Sequence, residues 1–168
     1  MRLGSSALAL LSSLSLAASC GILPGSGVEI TVSVPDSVKP LKDITFYGNN
    51  LVDGEPTTAW QTTSGQGKRI KLSLAAPTNM KSIRFQNGHH WLNHPEYGNL
   101  WSKNSRIKKA SLFINGVFRK TVEFAPDYKE WEEFDLEADN VSTIEIQIDS
   151  IYPGWKWNDL AVSEIEIR

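Results

Sequence analysis

The segment YPGWKWNDLAVSEIEI, Tyr152–Ile167, closes the chain with an aromatic loop followed by a predicted strand. Val162, Ile165 and Ile167 supply the apolar side of that strand, whose two-residue phase slips around a Ser-Glu pair. A second segment, LVDGEPTTAW at Leu51–Trp60, places a polar loop with an Asp-Gly turn before a large aromatic residue. Together the two segments predict a β-protein whose first and last loops carry chemically distinctive side chains.

Alternation of apolar and polar residues runs through the rest of the chain, for example at residues 28–34, 70–74 and 144–148. Successive side chains of a strand point to opposite faces, so these runs indicate half-buried strands. Asn115-Gly116 tolerates the positive φ angles of a type I′ turn and predicts a hairpin. Further turns are predicted at Pro35-Asp36, Pro40, residues 76–79 and residues 125–127. About eight short strands joined by turns predict an all-β sandwich or jelly roll.

The N-terminal residues predict a lipoprotein signal peptide over residues 1–19. Arg2 is the only charge before Glu29, and the apolar stretch Ala7–Leu16 is shorter than the ~20 residues that span a bilayer. Small residues then precede Cys20, the only cysteine of the chain. This arrangement resembles the lipobox of bacterial lipoproteins, in which the thiol receives a lipid. We therefore expect a membrane-anchored protein facing away from the cytoplasm; an ordinary secreted protein is the alternative.

A single cysteine cannot form an internal disulfide, so the fold must depend on its core. Residues 20–27 predict a lipid-anchored flexible tether, and residues 28–168 are long enough for one domain. Removing Arg2 with the signal peptide leaves 16 of the 17 basic residues against 19 acidic ones, a balance of −3. That balance argues against a nucleic-acid partner, which would need a basic patch.

Residues 87–104 interrupt the alternation with a long loop of aromatic, histidine and amide side chains. Loops longer than ~12–15 residues are uncommon in compact domains and are often functional. Aromatic rings in loops can stack on the C–H faces of sugars, while imidazoles and amides bind the hydroxyls. Trp60 and Trp131, by contrast, lie in or beside strands and are expected in the core. The candidate ligand-binding residues of this loop and of the last loop are His89, His90, Trp91, Asn93, Tyr97, Trp101, Tyr152 and Trp155.

Three motifs in order resemble discoidin-like, galactose-binding-like domains, and most closely the glycan-binding domain named after streptococcal NAD-glycohydrolase toxins. They are the early segment Leu51–Trp60, the pair Asn87-Gly88 followed by Asn104–Lys108, and the closing segment Tyr152–Ile167. The resemblance covers roughly residues 40–168. It implies a discoidin-like jelly-roll β-sandwich that binds glycans and is not an enzyme.

The same resemblance implies roles for individual residues. Trp157 falls on an aromatic position of the family's last motif and is expected to be structural, and Asn104 and Arg106 are expected to fix the long loop through hydrogen bonds. Many domains of this kind hold a structural Ca²⁺, a cation that takes six to eight oxygen ligands. The corresponding candidates are Asp53, Thr58 and Glu164 through side chains, and Glu55 and Ser163 through carbonyls. The metal-free alternative is that Asp53 caps its own turn and Glu164 pairs with a base.

Other chemistries find little support in the sequence. His90 and His94 have the spacing of a helical zinc pair, but Trp91 stands where a zinc protease needs Glu. Gly65–Arg69 departs from the phosphate-loop pattern, and there is no Gly-x-Ser-x-Gly elbow. The expected function is a lipid-anchored, non-catalytic carbohydrate-binding module of the bacterial cell envelope. A protein-binding or structural surface lipoprotein with the same fold is the alternative.

Overall fold

The computed structural model describes residues 19–22, 28–42 and 44–168. These residues form eight strands, one short helix, α1 (Leu100–Lys103), and one 3₁₀ turn (Gly48–Leu51). The strands are β1 (Ser19–Ile22), β2 (Glu29–Ser33), β3 (Trp60–Thr62), β4 (Arg69–Asn87), β5 (Arg106–Ile114), β6 (Val117–Glu123), β7 (Glu132–Tyr152) and β8 (Leu160–Ile167). The predicted all-β class is confirmed.

The strands pair antiparallel in the order β1-β2-β4-β7-β5-β6, and β8 joins β3 to β4. The two long strands β4 and β7 take part in both halves of this arrangement. Residues 69–73 of β4 pair with residues 143–147 of β7, and residues 82–85 pair with residues 132–135. Between these stretches the register shifts three times, as at β-bulges, which bend strands. The sheet therefore folds back on itself as a sandwich.

The continuity of β4 corrects the prediction of a turn at residues 76–79. We expected two short strands there, but Arg69–Asn87 is one strand that bends. The reason is that an irregular register can redirect a strand without breaking it, so the Pro77 segment bends the chain and does not end the strand. The predicted run at residues 144–148 is likewise only part of β7.

The core forms between the two halves of the sandwich. Ile70 and Leu72 of β4 are buried while Lys71 between them is exposed, as the alternation predicts. Trp60 is 0% exposed and belongs to the same apolar cluster. Trp131, which we expected in the core, is only half-buried, and the guanidinium carbon of Arg84 lies 3.9 Å from its ring centroid. Its position is that of a surface cation–π pair.

The sandwich has two ends with different contents. At one end, which we call the loop end, Asn87 lies opposite Val162, and Arg106 lies opposite Tyr152. The other end carries the predicted hairpin turn at Asn115-Gly116, whose residues have φ values of 50° and 79°. The hairpin prediction is thus confirmed. The long loop and the last loop meet at the loop end, and the hairpin lies away from them.

The N-terminal residues reach the sheet at its edge. In β1, the backbone of Cys20 pairs with Thr31 of β2, where a flexible tether was expected. The rest of the predicted tether, residues 23–27, and residues 1–18 of the predicted signal peptide lie outside the described residues. Within the described part of the chain, no helix has the length and apolar character needed to cross a membrane.

Candidate functional site

A cavity of ≈ 140 Å³ opens at the loop end. Its apolar and aromatic lining consists of Leu41, Ile44, Phe46, Tyr97, Leu100 and Trp157. Its polar lining consists of Gln61, His89, Asn104 and Asp159. A cavity of ~150 Å³ holds benzene in another protein, so this one is large enough for about one ring-sized group. Predominantly apolar walls with a few polar groups are typical of small-ligand sites.

His89 is a fixed part of the cavity wall. Its Nε2 lies 2.9 Å from Thr57 O and its Nδ1 lies 2.9 Å from Gln61 Nε2. A carbonyl can only accept, so Nε2 carries the proton and Nδ1 accepts from the Gln61 amide. Burial lowers the pKa of His89 to about 4, although the bond to Thr57 opposes this shift. His89 is therefore neutral at physiological pH, and both ring nitrogens are occupied.

A row of aromatic rings leads to the cavity along the long loop. The ring centroids of Trp91 and His94 are 4.2 Å apart, and those of His94 and Tyr97 are 4.7 Å apart. Tyr97 then meets Trp157 edge to face at 6.2 Å. His94 also organises the loop backbone, since its Nδ1 accepts from the amides of Glu96 and Tyr97. These ring contacts thus help to hold residues 91–97 of the loop, which lie before α1.

Another part of the wall is built by α1 and by the end of the last loop, just before β8. Asn99 caps α1 by accepting from Ser102 N at 3.1 Å, and Asn104 Nδ2 donates to Leu100 O at 2.9 Å. The carbonyl of Asp159 accepts from Ser105 N at 2.9 Å, which ties the last loop to the end of α1. Partial burial raises the pKa of the Asp159 carboxyl. Asp159 and Trp157 of the last loop both line the cavity.

The predicted metal residues meet at one junction next to this cavity. The amide of Glu55 donates to Asp53 Oδ1 at 2.9 Å and to Glu164 Oε1 at 3.0 Å. Burial, together with the neighbouring Asp53 carboxylate, raises the pKa of Glu164 to about 9. Two carboxyl groups this close do not both carry a charge unless a cation lies between them. Without a cation, one of them keeps its proton. Asp53 and Glu164, far apart in the sequence, are therefore brought together as predicted. That they bind a metal ion stays a prediction.

The remaining members of the predicted set lie around the same turn. Thr58 Oγ1 donates to Asp53 Oδ2 at 2.8 Å, and Ser163 Oγ donates to Pro56 O at 3.0 Å. Within the described residues, no group of three or more His, Cys, Asp or Glu side chains is arranged to hold a metal ion. A cation here would need hydroxyl and carbonyl oxygens beside Asp53 and Glu164. An all-oxygen set of this kind fits a hard cation such as Ca²⁺.

The metal-free alternative is met only in part. Asp53 does cap its own turn, since it accepts from the Glu55 amide and from Thr58. Glu164, however, forms no ion pair with a Lys, Arg or His side chain within the described part of the chain. Its carboxyl neighbour is another acid, so this half of the alternative is wrong.

Comparison with known families matches residues 25–168 to one family model, described as the NAD glycohydrolase translocation F5/8 type C domain. The match covers most of the chain. The chain belongs to this family. The family assignment confirms the resemblance to discoidin-like domains. No curated protein is similar enough to this F5/8 type C domain to count as a relative.

Solved structures with the same fold include several carbohydrate-binding modules. The family 32 module of EndoD from Streptococcus pneumoniae has 14% identity and a TM-score of 0.58, with 89% of this chain and 99% of that chain covered. The family 32 module of NanJ from C. perfringens, in complex with galactose, has 16% identity and a TM-score of 0.57, with coverages of 82% and 92%. An F5/8 type C domain of a Bacteroides fragilis protein has 18% identity and a TM-score of 0.56, with coverages of 82% and 89%. At these identities the likeness establishes the discoidin-like β-sandwich fold.

The F5/8 type C domain places only part of the predicted ligand-binding set at the cavity. His89 and Tyr97 line it, and half-buried Trp91 lies one ring further along the aromatic row. Asn93 is exposed in the same loop. Ligand contact by these residues stays a prediction, but their placement is consistent with one shared site.

Two predicted residues lie on a different side of the long loop. His90 is buried, its amide donates to Ser163 Oγ at 2.9 Å, and its ring faces Tyr128 at 5.2 Å. Trp101 donates from Nε1 to Asn87 O at 2.8 Å and stacks on Arg106, whose guanidinium carbon is 4.0 Å from its ring centroid. Neither residue lines the cavity. Their contacts are those of residues that hold the loop.

The two predicted aromatic residues of the last loop also lie outside the cavity lining. The hydroxyl of Tyr152 donates to Phe124 O at 3.0 Å, which fixes the end of β7. Trp155 is 68% exposed and donates from Nε1 to Ser102 Oγ at 3.2 Å. It is available to solvent, whereas Trp157, which we expected to be structural, forms part of the cavity wall.

Sequence reasoning missed several lining residues, namely Leu41, Ile44, Phe46, Gln61, Leu100 and Asp159. Asp159 lies in the last loop, which the sequence had already marked as distinctive, so its charge was a usable signal. Phe46 and Gln61 lie in or before β3, where nothing in the sequence indicates that they face the long loop. Only the packing of β3 against the loop end brings them to the site.

Proposed function

We propose that this F5/8 type C domain is a non-catalytic carbohydrate-binding module whose cavity at the loop end receives part of a glycan. The observation that carries the proposal is the cavity itself, which sets Tyr97 and Trp157 beside His89, Asn104 and Asp159. Aromatic walls match the C–H faces of a sugar ring, and the few polar groups match its hydroxyls. The galactose complex of a domain with the same fold adds support.

The cavity volume limits how much of a glycan it can hold. A space of ≈ 140 Å³ accommodates about one ring-sized group, so the rest of a glycan would lie along the open surface. A single sugar would then bind weakly, and several copies displayed on one surface would gain avidity. The exposed ring of Trp155, close to the cavity wall at Trp157 in the same loop, suits such an outer contact.

We also propose that Cys20 carries a lipid and anchors the protein in the bacterial cell envelope, facing away from the cytoplasm. The lone cysteine after an apolar segment supports this. The fold supports the outward orientation of the cavity, because Cys20 pairs with β2 at the sheet edge while the cavity lies at the loop end. Cys20 pairs with Thr31, Thr31 with Ser73, and Ser73 with Thr143 across neighbouring strands. Thr143 O accepts from the amide of Asn115, so this row lies at the hairpin end of the sandwich. The cavity would point away from the bilayer.

A structural Ca²⁺ is part of the same proposal. Asp53, Glu164 and Thr58 would hold it through side chains, and Glu55 and Ser163 through carbonyls. When bound, the cation would neutralise the two carboxylates and stiffen the turn that carries Thr57. Thr57 O accepts from His89, so the turn supports the cavity wall whether or not a cation is present.

The test is retention on a glycan array by the purified chain and two variants. We expect Trp157→Ala to lose most retention, because it removes a cavity wall, and Trp155→Ala to keep at least part of it. Melting curves on the same samples check whether both variants are folded. If the native chain retains no glycan, the carbohydrate proposal is wrong and the protein-binding alternative gains.

A further inference from the structure

The charge of the cavity wall is one-sided. Of the ten residues that line the cavity, Asp159 is the only one with a formal charge. His89 is neutral because burial lowers its pKa to about 4 and both of its nitrogens are engaged. Gln61 and Asn104 are amides. A ligand in this space therefore meets one carboxyl group and otherwise neutral atoms.

Asp159 has no compensating partner in the part of the chain that the structure describes. No Lys, Arg or His side chain forms an ion pair with it there. Two lysines do lie near the cavity, but on the ring of Trp157, with the Nζ of Lys156 at 4.9 Å and that of Lys103 at 5.9 Å from the centroid. The ammonium of Lys103 donates to Tyr97 O. The carboxyl group of Asp159 is thus not neutralised by an ion pair with any described residue.

The aromatic part of the wall favours the same kind of ligand. Tyr97 and Trp157 meet edge to face beside Asp159. The ammonium groups of Lys156 and Lys103 already lie near the Trp157 ring, so these rings offer a surface for the C–H faces of a sugar and not a site for a second cation. A hydrogen bond between an ammonium and a carboxylate is stronger than one between neutral groups. A sugar that carries a protonated amine would satisfy both features at once.

We propose that the cavity selects an amino sugar whose nitrogen is free and protonated, with the amine at Asp159 and the sugar ring against Trp157 and Tyr97. This rests on the proposed function and names the class of glycan that the site takes. Asp159 is then the residue that determines specificity. An acetylated amine would bring no charge to the carboxylate, and an acidic sugar would be repelled by it.

The experiment compares glucosamine oligosaccharides with their N-acetylated counterparts, near neutral pH, by titration calorimetry on the full chain. We expect the free amine to bind about tenfold more tightly or better, as one charged hydrogen bond allows. Asp159→Asn should remove this preference, because the free amine loses its charged partner whereas the acetylated sugar loses no charged contact. The matched control is Asp127→Asn, at an exposed position of the loop after β6, which should leave the preference intact.

Each outcome decides the matter. Equal affinity for the two sugars, or an equal loss for both in Asp159→Asn, overturns the inference while the carbohydrate proposal stands. Binding of neither sugar, nor of galactose, overturns both. If Asp159→Asn does not fold, the salt dependence of the native chain replaces it, because ~1 M salt weakens a contact between charges and should reduce the preference. A preference that salt leaves unchanged would contradict the role of Asp159.

Discussion

His89 connects the cavity to the turn that carries the predicted cation residues. Its ring joins Thr57 O to Gln61, so one buried imidazole holds a loop on one side and a strand on the other. Burial also makes its protonation costly. The free energy of unfolding should therefore depend on pH through this residue, as it should through His90, whose pKa burial also lowers to about 4.

We predict that acid destabilises the protein between pH 6.5 and about 4 partly through His89. In this range the unfolded chain binds a proton at His89 that the folded chain does not, so the free energy of unfolding falls as the pH drops. The contribution of His89 is at most about 3 kcal/mol. His89→Gln keeps an acceptor for Gln61 and a donor for Thr57 but cannot titrate. Urea unfolding at several pH values should show a shallower acid slope for this variant.

Glu164 changes the free energy of unfolding with pH in the opposite direction to His89. The effect of His89 is therefore measured by comparing the native chain with His89→Gln. Its pKa is raised in the folded state, so its contribution to stability is present below pH 4.5 and is lost as the pH rises through about 9. The slope of the native protein is thus a sum of opposed terms. An unchanged slope in His89→Gln would contradict the buried, neutral assignment of this histidine.

We predict that Ca²⁺ raises the melting temperature and that binding releases a proton from Glu164. The apparent calcium affinity should increase with pH up to about 9, since the acid must ionise to bind. A concentration 100 times the Kd would add about 2.7 kcal/mol of stability. Calorimetry in two buffers of different ionisation enthalpy measures the proton release.

The control for this prediction is Glu130→Gln, which lies in an exposed loop and should respond to Ca²⁺ like the native chain. Glu164→Gln should lose the response. A melting temperature that ignores both Ca²⁺ and a chelator would remove the metal from the proposal, and the carboxyl pair would then share a proton only.

At the scale of elements, the long loop between β4 and β5 is held by side chains on both of its faces. One face carries the aromatic row to the cavity, and the other packs Trp101 between Arg106 and Gly88. A Cβ added at Gly88, whose φ is 109°, would lie 2.5 Å from Trp101 Cδ1. The close approach explains why glycine follows the last residue of β4.

We predict that Trp101→Ala destabilises the fold by about 2 kcal/mol, because it removes a half-buried ring, its stacking on Arg106 and a partly buried hydrogen bond. Trp155→Ala should cost less than about 0.5 kcal/mol, since its ring is exposed. Trp60→Ala is the buried control and should cost ~3–5 kcal/mol. Chemical denaturation of the three variants measures these differences. If Trp101→Ala is as stable as Trp155→Ala, Trp101 does not hold the loop and is again a candidate ligand contact.

At the scale of the whole molecule, the pairing of β1 with β2 bears on how the domain would sit on a membrane. The backbone of Cys20 lies beside Thr31 at the sheet edge, so a lipid on Cys20 would hold the domain close to the bilayer. The proximity would restrict the orientation of the loop end more than a long flexible tether would.

We predict that Cys20→Ser releases the protein from membranes and abolishes fatty-acid labelling, because the thiol is the only one in the chain. Thermal stability and glycan retention of the released protein should be unchanged, since the core and cavity begin after Cys20. Fractionation of cells expressing each form gives the partition. Membrane partition that is unaffected by the substitution would place the anchor elsewhere.

Several features follow from local sequence because their physical causes are local. The alternation at residues 70–74 depends only on the opposite orientation of successive side chains, and the Asn115-Gly116 hairpin depends on two residues that tolerate positive φ. The continuity of β4 through Pro77 was not predictable in this way. A bend that is absorbed by shifts of register depends on the partner strand β7 as well as on the residues of β4.

By itself the sequence determined the all-β class, the hairpin, and the two loops that carry distinctive chemistry. Through the order of its motifs it also pointed to Asp53 and Glu164 as neighbours, which the fold then places on one amide. Only the tertiary structure decided which side of each loop faces the cavity. The structure places Trp157, and not Trp155, in the cavity lining. It also adds Phe46, Gln61 and Asp159 to the lining, from three separate segments. The reason is that an irregular loop has no fixed period, so the direction of each side chain is set by what the loop packs against.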